Sequence, residues 1–155
     1  MQLPSAFWAA VGGAVLCGVI VGLERQLRGK PVGVRTSCLI CLSTAVFVQL
    51  GAAVATSSSD PTRVVGQIVT GVGFLGAGVM LAREGIVTGV TTAAVIWMLA
   101  AIGSAIGLGY VSEAVVLSVV TVSILAGVSF LESRFRFLTT GAHRTTETGE
   151  DVPPR

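Results

Sequence analysis

Charge is what this chain has least of. Only 12% of its 155 residues are Asp, Glu, Lys or Arg, about half the share of an ordinary soluble domain. None of those charges falls in the middle of an apolar run, where a proton relay or a dehydrated magnesium site would want carboxylates. Histidine is nearly absent: His143 stands alone in a polar C-terminal stretch. No nucleophile can therefore find an imidazole base, and the chain is expected not to be an enzyme. Aromatics are sparse at 6% and the net charge is +2 with no basic stripe, so nucleic acid is not an expected partner. The three cysteines build no framework. Cys38 and Cys41 form a C-x-x-C in an apolar run without a second pair, and Cys17 stands in another such run, so small packing residues are expected rather than a redox or metal centre. No cofactor and no metal are implied.

Hydrophobic residues, at 52%, are what the chain has in excess. A bilayer core of about 30 Å takes roughly 17–25 apolar helical residues to cross. Five stretches qualify, at about 6–23, 37–55, 64–82, 90–108 and 114–131. The expected fold is all-α: a polytopic membrane bundle of five transmembrane helices over 1–138, with a disordered polar tail over 139–155. A count of four, with either the fourth or the fifth stretch failing to cross, is the alternative. Basic residues set the orientation. Arg25, Arg28, Lys30 and Arg35 crowd the first connection, Arg83 lies in the third, and Arg134, Arg136 and Arg144 follow the fifth helix. The second connection holds Arg63 alone. Five crossings with the N-terminus outside put every basic cluster on the cytoplasmic face. The first apolar run lacks the basic residues that precede a signal-peptide core, and reads as a retained helix.

Glycine is abundant, with 20 residues. Gly71-Val72-Gly73-Phe74-Leu75-Gly76 spells G-x-G-x-x-G, but it lacks the acidic residue some 20 positions on and the soluble strand–helix context of a dinucleotide site. On a helix, Gly66 and Gly73 share one face, with Gly71 and Gly78 on a nearly opposite one. Small residues let membrane helices approach closely, so the third helix is expected in the middle of the bundle, with Gly73→Leu destabilising it. Local unwinding that exposes carbonyls is the other reading. Ala10, Ala14, Gly18 and Gly22 form a ladder on the first helix, and Gly103 and Gly107 repeat the device on the fourth. So much close-packing surface makes a homodimer a candidate.

Charges gather at the span ends. Glu24 and Arg28 are spaced i,i+4 for a local pair. A cytoplasmic cluster of Glu24, Arg25, Arg28, Arg35, Thr36, Arg83 and Glu84 is the expected functional site, with Arg25 gripping an anionic group through its forked guanidinium. Simple anchoring of the helix end is the plainer reading. On the outer face, Asp60 before Pro61 suits an N-cap, and Arg63 stands beside it. Inside the spans Gln49, Gln67, Thr70, Thr91, Thr92 and Ser104 can satisfy helix-to-helix hydrogen bonds or line an ion path.

The blocks "GLERQLRGKPVGVRT", "DPTRVVGQIVTGVGFLGAGVML", "REGIVTGVTTAAVIW" and "AAIGSAIGLGY" resemble, in order and spacing, those of the MgtC/SapB family of bacterial inner-membrane proteins. The resemblance spans roughly residues 21–131. It implies a five-helix protein of the bacterial cytoplasmic membrane linked to growth in scarce magnesium and, in pathogens, to survival in host cells. It further implies regulation through partners such as the membrane sector of the proton-translocating ATP synthase. The motif positions fall on Glu24, Arg25, Gly33, Arg35, Thr36, Asp60, Arg63, Gln67, Gly71, Gly73, Phe74, Leu75, Gly76, Gly78, Arg83, Gly89, Thr92, Ala93 and Trp97. Many longer relatives continue into a soluble C-terminal domain, whereas this chain stops after a short polar tail. Val90 stands where relatives often carry leucine. The leading expectation is a membrane regulator; a magnesium or other cation transporter is the rival.

Overall fold

A computed structural model describes residues 5–55, 62–83 and 86–134. Arg83 is described by its backbone alone, and Glu84, Asp60 and the polar tail lie outside the described residues. The elements run α1 (Ser5–Leu27), α2 (Val34–Ala53), α3 (Thr62–Val79), β1 (Leu81–Arg83), β2 (Ile86–Thr88), α4 (Val90–Gly107) and α5 (Val111–Arg134). By contact the chain divides into a unit over 1–123, holding α1 to α4 and the first half of α5, and a second unit from Ile124 onward that begins with the end of α5.

Helices α1, α2, α4 and α5 are long and apolar enough to cross a bilayer, and the fold is a helical membrane bundle. The apolar part of α3, Arg63–Val79, is shorter. At 1.5 Å per residue the 18 residues of α3 rise about 27 Å, just under the hydrocarbon thickness. The stretch 64–82 loses its last residues to a small antiparallel hairpin in which Leu81 pairs with Thr88 and Arg83 with Ile86. Two features stop the helix there. Ile86, Val87 and Thr88 are β-branched, which favours strand. Gly89 then turns the chain into α4 at φ 88°, and a side chain at that position would strike the Val79 carbonyl oxygen.

Both α1 and α4 end in a left-handed glycine. At α1, Gly29 N–H bonds the Gln26 carbonyl (3.1 Å) and Lys30 N–H the Arg25 carbonyl (2.9 Å), with Gly29 at φ 63°. At α4, Gly109 N–H bonds Ile106 O and Tyr110 N–H bonds Ala105 O. Each is a Schellman closure, in which glycine accepts the positive φ that other residues resist. This carries α1 past the apolar limit at residue 23 to Leu27.

Close approaches fix the packing. A Cβ on Gly18 would lie 2.5 Å from Cys38 Cα, and one on Gly22 2.5 Å from Val34 Cα, so the α1 ladder presses on an antiparallel α2. Gly103 presses on Cys41 and Thr44, and Gly107 on Ala45 and Val48, so α4 runs parallel to α2. A Cβ on Gly13 would meet Val111 of α5 at 2.9 Å, while Val122 lies in one cleft with Ile20 and Leu23, so α5 runs parallel to α1. The core is formed by Ala14, Cys17, Val21, Cys41, Leu99, Ile102 and Ile106. The cysteines are free and serve as small packing groups: Cys38 Sγ reaches Val15 O on α1 (3.5 Å), and Cys41 Sγ reaches Leu99 O on α4 (3.4 Å).

The expected central position of α3 is not what forms. Helices α2 and α4 hold the centre, and α3 leans on α4 through Gly76, which faces Ala93 and Trp97, while its first turn meets α2 where Val64 faces Gly51. At Gly66, Gly71, Gly73 and Gly78 an added Cβ would meet nothing within 4 Å. Among the described residues those glycines bring no helix close.

Candidate functional site

The first α1–α2 connection gathers the charged residues, and α4 completes the site. Arg25 lies in the last turn of α1 on the face that turns inward, and is only 4% exposed. Its Nη2 donates to Thr92 Oγ1 of α4 (2.9 Å) and its Nε to the Pro31 carbonyl (3.2 Å). One guanidinium thus ties the first helix, the connection and the start of the fourth helix together. A buried charge is tolerable only when its donors are met in this way.

The connection is shaped to present that carbonyl. Gly29 reverses the chain, and Val32 adopts φ 63°, a strained conformation for a β-branched residue. Val32 O in turn accepts from the buried Ser37 hydroxyl (3.3 Å). Gly33 then opens α2 in extended conformation, and Gln26 Oε1 accepts from Val34 N–H (3.4 Å).

Glu24 and Arg28 form the i,i+4 pair at 2.7 Å, with the Glu24 side chain 9% exposed and Arg28 37%. The other carboxylate oxygen of Glu24, Oε2, is buried and has no hydrogen-bond partner among the described residues. The pair borders a cleft of about 360 Å³ whose other walls are Ile20, Leu23, Leu27 and Val122.

Within the expected seven-residue cluster, Arg25 turns away from the Glu24–Arg28 pair. Arg25 faces the interior and is bonded there, not open to an outside anion. Glu24 and Arg28 face the neighbouring cleft. Arg35 and Thr36, in the first turn of α2, are exposed, and their side chains make no hydrogen bond to a described residue. Arg83 backbone lies in β1, and the Glu84 position is outside the described residues. On the opposite end, Arg63 is exposed at the start of α3 and lines a groove with Gln67 and Gly71. Trp97 is half-exposed and packs against Gly76. Of the interior polar groups, Thr92 alone links two elements by hydrogen bond among the described residues; Thr70 bonds back to Gly66 O of its own helix (3.0 Å). The Pro31 carbonyl was not anticipated from the sequence. Its signal is the succession Gly29-Lys30-Pro31, a glycine C-cap followed by proline, which marks a helix end beyond the apolar run.

The family model for the MgtC family matches residues 11–134. The chain belongs to the MgtC family. Among relatives, "Protein MgtC" of Brucella abortus is 42% identical over 118 residues, covering 76% of this chain and 49% of that protein. "Protein MgtC" of Salmonella typhimurium is 43% identical over 108 residues, 69% of this chain and 46% of the relative. A protein of Escherichia coli K12 carrying the name "Putative magnesium transporter YhiD" is 42% identical over 137 residues, 84% and 62% of the two chains. This chain thus spans about half the length of the curated relatives it matches. No solved structure matches it.

Proposed function

We propose that this MgtC-family chain is a non-enzymatic regulator in the bacterial cytoplasmic membrane, linked to growth when magnesium is scarce, and that it acts by helix-to-helix contact with another membrane protein. The uncovered face of α3 carries this reading. Gly66 and Gly73, on one face of α3, meet no described residue within 4 Å, whereas Gly13, Gly18 and Gly22 of α1 and Gly103 and Gly107 of α4 are closed by neighbours. Inside a bilayer such a face suits a close-packed partner helix. The partner that the family resemblance implies is the ATP synthase membrane sector; a second copy of this chain fits the same face. The connection with magnesium rests on the family resemblance and on the name of the Escherichia coli relative.

Gly73→Leu tests the reading. The variant should reach the membrane at wild-type abundance but fail to restore growth of a deletion strain in low-magnesium medium. Full complementation would remove the α3 face from the function. The name of the Escherichia coli relative favours a second reading, magnesium transport. Purified protein in liposomes with a magnesium-sensitive dye separates the two: regulation expects no protein-dependent flux, and robust flux would establish the transporter.

A further inference from the structure

At the end of the bundle away from Arg25, α2 and α3 approach each other where Gly51 faces Val64. Both helices line a groove of about 580 Å³, within the range of about 300–1,000 Å³ usual for ligand sites. Its walls are mostly apolar, from Ile40 and Phe47 on α2 to Ile68, Val72 and Leu75 on α3, and the Ser43 and Thr44 hydroxyls that also line it bond back to the Ile40 carbonyl of their own helix. One charged residue lines it: Arg63, exposed, at the mouth, with Gln67 one turn further in. Among the described residues no carboxylate lines the groove, and the Arg63 guanidinium has no hydrogen bond or ion pair with any of them.

We propose that this groove holds one phospholipid, with an acyl chain along α2 and α3 and the phosphate on Arg63. Three observations select that occupant. The first is charge: the one charged side chain among the described lining residues is a guanidinium, which binds a phosphate in forked geometry. The second is length. From Arg63 to Leu75 is 12 residues, about 18 Å of helix. One leaflet of a hydrocarbon core that is about 30 Å thick in all has nearly that depth. A transmembrane peptide would need a seat twice as long. The third is the wall itself. Gly71 lines the groove and an added Cβ there meets nothing within 4 Å, so the space is open to a chain and closes if a side chain is added. A hydrocarbon tail fills such a slot without leaving any polar group unmatched, and Gln67 lies where it can reach the ester region.

The test is native mass spectrometry of the detergent-purified full chain with phosphatidylglycerol added. Wild type should retain one lipid per chain. Arg63→Gln should weaken retention about tenfold through loss of the charge-assisted bonds. Gly71→Leu should weaken it at least as much by filling the slot, with an unchanged circular-dichroism melt showing that the fold is intact. Glycerol phosphate and uncharged diacylglycerol, each alone, should not be retained, because each supplies only half of the contact. Equal retention by wild type and both variants would overturn the proposal. So would retention of glycerol phosphate alone, which makes Arg63 a simple anion site, or photo-crosslinking from position 71 to a protein helix in native membranes.

Discussion

Arg25 and Glu24 are neighbours in sequence with opposite surroundings, and that difference predicts opposite phenotypes. Arg25 uses two donors on Thr92 and Pro31 while almost fully buried. Lysine presents one ammonium and cannot reproduce the two bonds. Hydrogen bonds to charged groups are worth about 1.5–3 kcal/mol each, so Arg25→Lys should lower stability by about that amount, read as thermal unfolding in detergent. Thr92→Val, which keeps the shape and removes the acceptor, should cost a similar amount. The double variant should cost clearly less than the sum, since both changes break one bond. Additive losses would mean that the Arg25–Thr92 contact does not hold the helix ends together. Glu24 pairs with a partly exposed Arg28, and such pairs contribute about 0–1 kcal/mol. Glu24→Ala should therefore melt within about 1 kcal/mol of wild type, yet fail to restore low-magnesium growth if the carboxylate beside the cleft is functional. Normal growth at equal abundance would reduce it to a helix-end anchor.

At the scale of elements, identical residues in identical helices play different parts. Gly103 of α4 lies against the Cys41 backbone and Thr44, and a Cβ on Gly18 of α1 would lie 2.5 Å from Cys38 Cα. Adding a large side chain at either place pushes backbones apart, and overpacking of this kind costs about 1–3 kcal/mol. Gly103→Leu and Gly18→Leu should each lower the melting temperature in detergent. Gly73→Leu should leave it unchanged, because nothing lies within reach of its Cβ. From sequence alone Gly73 was expected to behave like Gly103. If Gly73→Leu destabilised the purified chain as much as Gly103→Leu, α3 would have to be central after all.

Across the whole molecule, the direction of the helices bears on orientation. Within residues 1–123, α1, α3 and α5 run one way and α2 and α4 the other, as the contacts of Gly18, Gly51, Gly76, Gly103 and Gly13 require. The Arg25 connection and the hairpin between α3 and α4 then share one end, joined by the Arg25–Thr92 bond. With the basic residues inside, reporter fusions after Ala55, Arg83 and Arg136 should report outside, inside and inside. An external signal after Arg136 would overturn the orientation. An external signal after Arg83 would mean that α3, with its short apolar run, does not cross.

Hydropathy by itself determined the membrane class, the number and approximate place of the helices, and the crowding of charge at their ends. Length against bilayer thickness and the cost of charge in hydrocarbon are properties of one stretch at a time, so they can be read along the chain. The Glu24–Arg28 pair was legible for the same reason, since helical spacing alone brings it together. Which helices occupy the centre, which glycines are covered, and that Arg25 turns inward to Thr92, 67 positions away in sequence, were decided only by the tertiary structure. A glycine has no side chain to declare a face, and small residues recur on all sides of these helices. Only the neighbour that arrives, or does not, distinguishes a packing contact from an open groove.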